Sequence, residues 1–141
     1  MSSTRLHATT VAIGDVAVLL IGASGSGKSD LALRLIDRGA VLVSDDITDL
    51  TERDGTLYAA PPATIAGKIE VRGLGIVEMV YKEAMPVALV IRLDGVIERM
   101  PPEDRTMAIA GIALPVVALD AFAASTPIAV ELALAHAREA R

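Results

Sequence analysis

Two short apolar runs, residues 11–13 and 16–21, flank Gly14-Asp15 and predict a β-hairpin, because this turn pair between apolar stretches is a strong hairpin signal. The second run leads straight into a glycine-rich loop. Over residues 30–38 Leu31, Leu33, Leu35 and Ile36 alternate with charged residues, and Gly39 follows. That pattern predicts a helix of about three turns with a glycine C-cap. Residues 40–43 read as a buried strand ending at Ser44-Asp45-Asp46. The chain turns polar over 49–62, with a hairpin turn expected at Asp54-Gly55 and an extended or turning backbone at Pro61-Pro62. A glycine-punctuated segment covers 63–80, and 87–93 is a second buried strand. Residues 97–108 read as a surface loop or short helix, and 112–119 as a strand interrupted by Pro115. Thr126-Pro127 opens a terminal helix reaching about Ala140, with proline at its first turn. Strands outnumber helices, so the expected class is α/β with a mixed, strand-rich sheet flanked by few helices.

Composition narrows this picture. The chain has 141 residues, the size of one ordinary domain, so a single unit over 1–141 is expected. Apolar residues make up 52%, yet Phe122, Tyr58 and Tyr81 are the only aromatics. Small branched aliphatics at this density suit strands covered on both faces. The longest apolar stretches fall well short of the roughly 20 residues that span a bilayer. A net charge of −5 argues against a nucleic-acid surface, which calls for basic patches with interleaved aromatics. With no cysteine, disulfides and thiolate metal sites are excluded. The first residues hold no apolar signal-peptide run, and a cytoplasmic location is expected.

The segment Gly22-Ala23-Ser24-Gly25-Ser26-Gly27-Lys28-Ser29 matches G-x-x-x-x-G-K-[ST] at every fixed position, between a predicted strand and a predicted helix. Its glycines let successive backbone N–H groups converge on phosphate oxygens, where the following helix adds its positive end. Lys28 then reaches the β- and γ-phosphates, and the Ser29 hydroxyl holds Mg²⁺. Glycine-rich turns alone mean little. The full octapeptide in this context points to an ATP-binding loop.

Asp45-Asp46 closes the next strand, where a carboxylate can approach the metal or the attacking nucleophile, although such a pair also serves as a plain turn or cap. Glu70 and Arg72 face the same side if their segment is extended, as an active-site rim or as an exposed ion pair of little consequence. His7 and His136 read, unaided, as surface residues.

Val43-Ser44-Asp45-Asp46 and Glu70-Val71-Arg72-Gly73-Leu74-Gly75-Ile76, together with the phosphate loop, closely resemble the catalytic domain of HPr kinase/phosphorylase. In that family a histidine precedes the loop, an Asp-Asp pair follows it, and an E-x-R-G-x-G-I segment comes next. The same order and intervals occur here, over roughly residues 5–136. The resemblance implies a fold related to phosphoenolpyruvate carboxykinase. It also implies transfer of phosphate from ATP to a serine of HPr, the carrier protein of the bacterial sugar phosphotransferase system. Many members also run phosphorolysis of the product.

By position, the resemblance makes Asp46 the base that takes the serine proton, with Asp45 in support. Ser29 and Glu70 become Mg²⁺ ligands, Lys28 the phosphate grip, and His7 and Arg72 lining residues. Arg99, in Ile97-Glu98-Arg99-Met100, aligns with a catalytic arginine. A hexamer is implied as well. The chain departs from the family in two places. Only about six residues precede His7, which suits a form limited to the catalytic domain. The family's P-V-x-x-G-R-N segment is replaced by Pro115-Val116-Val117-Ala118-Leu119-Asp120-Ala121, a change that bears on phosphorolysis and on HPr docking. Two rival expectations stand beside an HPr kinase: a P-loop kinase of a small metabolite, and a nucleotide-binding sensor without transfer activity.

Overall fold

The computed structural model describes residues 2–139. Its strands are β1 (Ser2–Leu6), β2 (Ala8–Ile13), β3 (Val16–Ile21), β4 (Val41–Ser44), β5 (Thr48–Arg53), β6 (Thr56–Ala60), β7 (Lys68–Val71), β8 (Gly75–Glu78), β9 (Met85–Arg92), β10 (Thr106–Ile109) and β11 (Ile112–Ala118). The helices are α1 (Lys28–Asp37) and α2 (Thr126–Glu139), with a 3-10 turn at Ala63–Ile65. Ala140, where the terminal helix was expected to end, lies outside the described residues. No described helix is long and apolar enough to cross a membrane.

Nine strands form one mixed sheet in the order β1-β5-β6-β9-β3-β2-β4, with β11 also on β9 and β10 on β11; β7 and β8 form a separate hairpin. Strand β3 shows why the sheet is central. Its alternate residues enter opposite cores, Val18 and Leu20 under the helices and Ala17 and Leu19 on the other face. The helical side is filled by Leu31 and Leu35 of α1 and Val130 and Leu134 of α2. On the opposite side Leu50 and Leu57 of the β5–β6 meander meet Ile109 and Leu114 of the β10–β11 hairpin. Each such buried side chain contributes roughly 1.5–3 kcal/mol relative to exposure.

Local chemistry sets the boundaries. The β5–β6 turn carries Asp54 at φ 52 and Gly55 at φ 80, the two positive values that a type I′ hairpin needs. Helix α1 ends where Gly39 (φ 111) and Ala40 donate to the carbonyls of Ile36 and Leu35, the paired bonds of a Schellman motif. Three expectations are corrected. Residues 97–108 are not all loop or helix, because their end forms β10. Pro115 does not interrupt β11, since it sits where that strand leaves β10 and begins pairing with β9 at Val116. Strand β7 stops at Val71, so Arg72 lies in a turn rather than on the Glu70 face.

Strands β3, β9 and β11 run parallel. Their carboxyl ends bring Gly22, Leu93 and Leu119 to one edge of the sheet. Strand β2 runs the other way, and its Ala8 pairs with Ile21, which sets His7 at the same edge. Strand β4 ends there too, with Ser44 opposite Thr10. Open α/β sheets bind ligands at this kind of edge.

Candidate active site

The loop between β3 and α1 is shaped by its glycines. Gly25 and Gly27 have φ 84 and 96, and Ser26 N donates to Ala23 O at 3.0 Å. A Cβ on Gly22 would meet Ser26 Oγ at 2.4 Å and Ser26 Cβ at 3.0 Å, so the loop folds closely back on its first residue. The first turn of α1 has Gly27 as its N-cap, with no side-chain acceptor for its backbone N–H groups. Free N–H groups and the positive helix end together form an anion cradle. Lys28 Nζ, almost wholly buried, donates to Gly22 O at 2.7 Å and Ala23 O at 3.1 Å, holding its charge over the loop. Ser26 Oγ is buried without a partner among the described residues, a polar atom suited to a phosphate oxygen. The residues present therefore fit the terminal phosphates of a nucleotide.

Asp45 joins three elements. Its Oδ1 accepts from Ser29 Oγ at 2.6 Å and from Thr9 Oγ1 at 3.0 Å, and its Oδ2 accepts from the backbone N of Glu70 at 3.0 Å. By donating its proton to Asp45, Ser29 keeps its lone pairs free for a cation. Among the described residues no group of three or more His, Asp or Glu is placed to hold a metal. Mg²⁺ does not need one, because it is commonly held by one or two carboxylates together with substrate phosphates. Ser29 and the exposed Glu70 carboxylate suit such a site.

Asp46 follows at φ 68, exposed, with Ile47 N donating to Asp45 O at 2.8 Å around it. A three-residue turn with positive φ at a non-glycine residue is rare and strained. It is held by Asp46 N donating to Thr9 Oγ1 at 3.0 Å.

The sequence-predicted residues thus fall into two groups. Lys28, Ser29, Asp45, Asp46 and the backbone of Glu70 form one connected cluster around the loop. His7 is exposed at the same edge; Arg72, in the β7–β8 turn, and Arg99, in the exposed loop after β9, take no part in the Ser29–Asp45 network. A cavity of about 310 Å³ opens nearby, lined by Arg92, Glu98, Arg105 and Met107 and by no residue of the loop. The hydrogen-bond network, rather than this cavity, marks the site.

Sequence reasoning missed Thr9, which braces both aspartates. No local signal marked it: Thr9 and Thr10 lie within β2, and both are fully buried. It also missed Phe122, whose ring lies against Gly27.

Comparison with known proteins agrees with this arrangement. The family model described as HPr Serine kinase C-terminal domain matches residues 1–139. An HPr kinase/phosphorylase of Clostridium botulinum (strain Eklund 17B / Type B) is 46% identical over 76 residues, covering 54% of this chain and 25% of that protein. One from Clostridium tetani is 43% identical over 94 residues, 67% of this chain and 31% of that protein. The chain thus matches about a quarter to a third of the length of these curated relatives. The solved structure of the Hpr(Ser) kinase/phosphatase from Coxiella burnetii superposes with a TM-score of 0.82 at 30% identity, covering 97% of this chain and 92% of that one. The resemblance carried by the phosphate loop, the Asp-Asp pair and the E-x-R-G-L-G-I segment is borne out, as is the mixed, strand-rich sheet with few helices. This chain belongs to the HPr serine kinase C-terminal domain family.

Proposed function

We propose that this chain is a single catalytic domain that transfers the γ-phosphoryl group of ATP to a serine hydroxyl of HPr or an HPr-like carrier protein. The observation that supports this most directly is the Ser29–Asp45 hydrogen bond of 2.6 Å. It ties the residue before Asp46 to the first turn of the helix that follows the loop, which supports a role for Asp46 beside the bound phosphates.

In the transfer, the serine oxygen forms a bond to γ-phosphorus as the bond from γ-phosphorus to the bridging oxygen breaks, leaving ADP. Asp46 takes the serine proton. Lys28 and the backbone N–H groups of the loop hold the phosphates, and alignment with neutralisation of charge accounts for most of the rate. Ser29 and Glu70 would hold Mg²⁺, which when bound neutralises charge on the phosphate oxygens. Asp45 orients the Ser29 hydroxyl. Arg99 is assigned as a further cation for the transferring group, and His7 and Arg72 as residues lining the acceptor side. The same proposal places the chain in the cytoplasm and in a hexamer, as in the family it resembles.

The test is incubation of the purified chain with labelled ATP, Mg²⁺ and purified HPr, beside the K28A and D46N variants. Label on a carrier serine with the wild type, and none with either variant, is the expected result. Turnover with small molecules only, or nucleotide binding without transfer, would overturn the proposal in favour of a metabolite kinase or a sensor. Added phosphate and serine-phosphorylated HPr in the same assay read the reverse reaction, on which the Leu119-Asp120-Ala121 replacement bears.

A further inference from the structure

Phe122, the only phenylalanine of the chain, is 64% exposed and is packed on the phosphate loop. A Cβ built on Gly27 would come within 2.8 Å of Phe122 Cζ and 2.8 Å of Ala121 Cβ, so the ring covers the loop where it enters α1. The segment carrying it is held from both sides. Phe122 N donates to Asp120 Oδ1 at 2.9 Å, and Thr126 Oγ1 donates to Asp120 O. Arg34 of α1 donates to the carbonyls of Ala121 and, at 3.1 Å, Ala123. The ring is thus fixed beside the phosphate cradle with most of its surface open.

The order of the sheet decides what it faces. Strand β3 and its loop lie in the middle; β2 and β4 occupy one side, and β9 and β11 the other. Asp45 and Asp46 come from the β4 side. Phe122 follows β11 and comes from the opposite side. A nucleoside triphosphate whose terminal phosphate is turned toward Asp46 therefore extends its nucleoside toward Phe122. We propose that the Phe122 ring is the stacking platform for the nucleotide base, a role that rests on the ATP-binding reading given above. A flat aromatic face suits this role, since every base offers a π-face to it.

Calorimetric titration with ATP and with inorganic tripolyphosphate, both with Mg²⁺, separates the base from the phosphates. F122A and F122L are expected to weaken ATP binding by about tenfold or more while leaving tripolyphosphate unchanged. F122L retains apolar cover over Gly27, so a loss shared by both variants reports the aromatic face rather than folding. F122Y is expected to bind ATP like the wild type. ATP affinity preserved in F122A and F122L, or equal losses for ATP and tripolyphosphate, would overturn the inference. A wild type that binds neither compound would bring down the kinase reading itself, and this inference with it.

Discussion

Ser29 Oγ donates to Asp45 Oδ1 across 2.6 Å, tying the first turn of α1 to the end of β4. Because that carboxylate also accepts from Thr9 and from Glu70 N, every one of its bonds requires an acceptor. Asparagine can keep the Glu70 N bond with its oxygen, but its N–H₂ then donates to the hydroxyls, occupying a Ser29 lone pair that a cation would need and removing the carboxylate charge. D45N is expected to cost about 1–3 kcal/mol of stability and to lower the affinity for Mg²⁺-ATP more than that for ATP in chelator. Denaturant unfolding and titration with and without Mg²⁺ measure the two effects, and equal loss under both conditions would remove Asp45 from metal positioning.

Asp46 holds a backbone conformation that L-residues resist. D46A and D46G should both lose transfer to the acceptor serine while still binding ATP. They should differ in stability, however, with D46G the more stable by about 1 kcal/mol because glycine accepts φ 68 without strain. Unfolding midpoints in the opposite order would show that the turn is not strained.

Thr9 holds both aspartates through one hydroxyl. T9V preserves the shape of the side chain but leaves the Asp46 N–H without its acceptor, at a cost of about 2 kcal/mol. Transfer should fall through kcat more than through KM for ATP, and T9S should restore it. A threonine that merely fills the core would be rescued better by valine than by serine.

Gly27 tests the close packing on the loop. G27A places a methyl group against Ala121 and Phe122 at φ 96. Overpacking and left-handed strain together predict a loss of about 3 kcal/mol, read by thermal or urea unfolding. An unfolding midpoint unchanged from the wild type would show that the segment carrying Phe122 yields freely.

Away from the site, Arg138 donates to Asp15 at 2.9 Å, joining α2 to the β2–β3 turn. That hydrogen bond and the charge of Arg138 hold the Asp15 carboxyl below its ordinary value of 3.8. A depressed carboxyl stabilises the fold above the ordinary value, and the contribution fades as pH falls through the lower folded value. Both side chains are open to solvent, so the effect is small. Melting temperatures across the acid range should therefore fall slightly more steeply for the wild type than for D15N.

Much of the site was legible because its signals are local. The phosphate loop, the Gly39 cap and the Asp54-Gly55 turn each depend on backbone conformations that few residues accept, so the residues themselves announce them. Strand β1 was not legible. Ser2-Ser3-Thr4-Arg5-Leu6 has no apolar alternation and becomes a strand by pairing with β5, where Arg5 lies opposite Asp49 at 2.6 Å. Strand β10 was hidden for a similar reason, since its partner β11 follows only after the turn at Ala110-Gly111. The role of Thr9 could not be read from its neighbours, because its partners are 36 and 37 positions away.

Strand β9 meets β6 at Met85 and Pro86 and β11 from Val90 to Arg92, both along the same border. Between those contacts Val87, Ala88 and Leu89 have only β3 beside them among the described strands, and the register with β3 slips at this point. The slip puts Ala88 and Leu89 in the same core, instead of on alternating faces. The seam shifts the register of one strand while the sheet stays continuous through β3. Yet the β1-β5-β6 meander stays tied to the site side of the sheet, because Thr48 donates to Ala8 O at 2.8 Å, so a change at Thr48 is passed through β2 to the residues beside the phosphate loop.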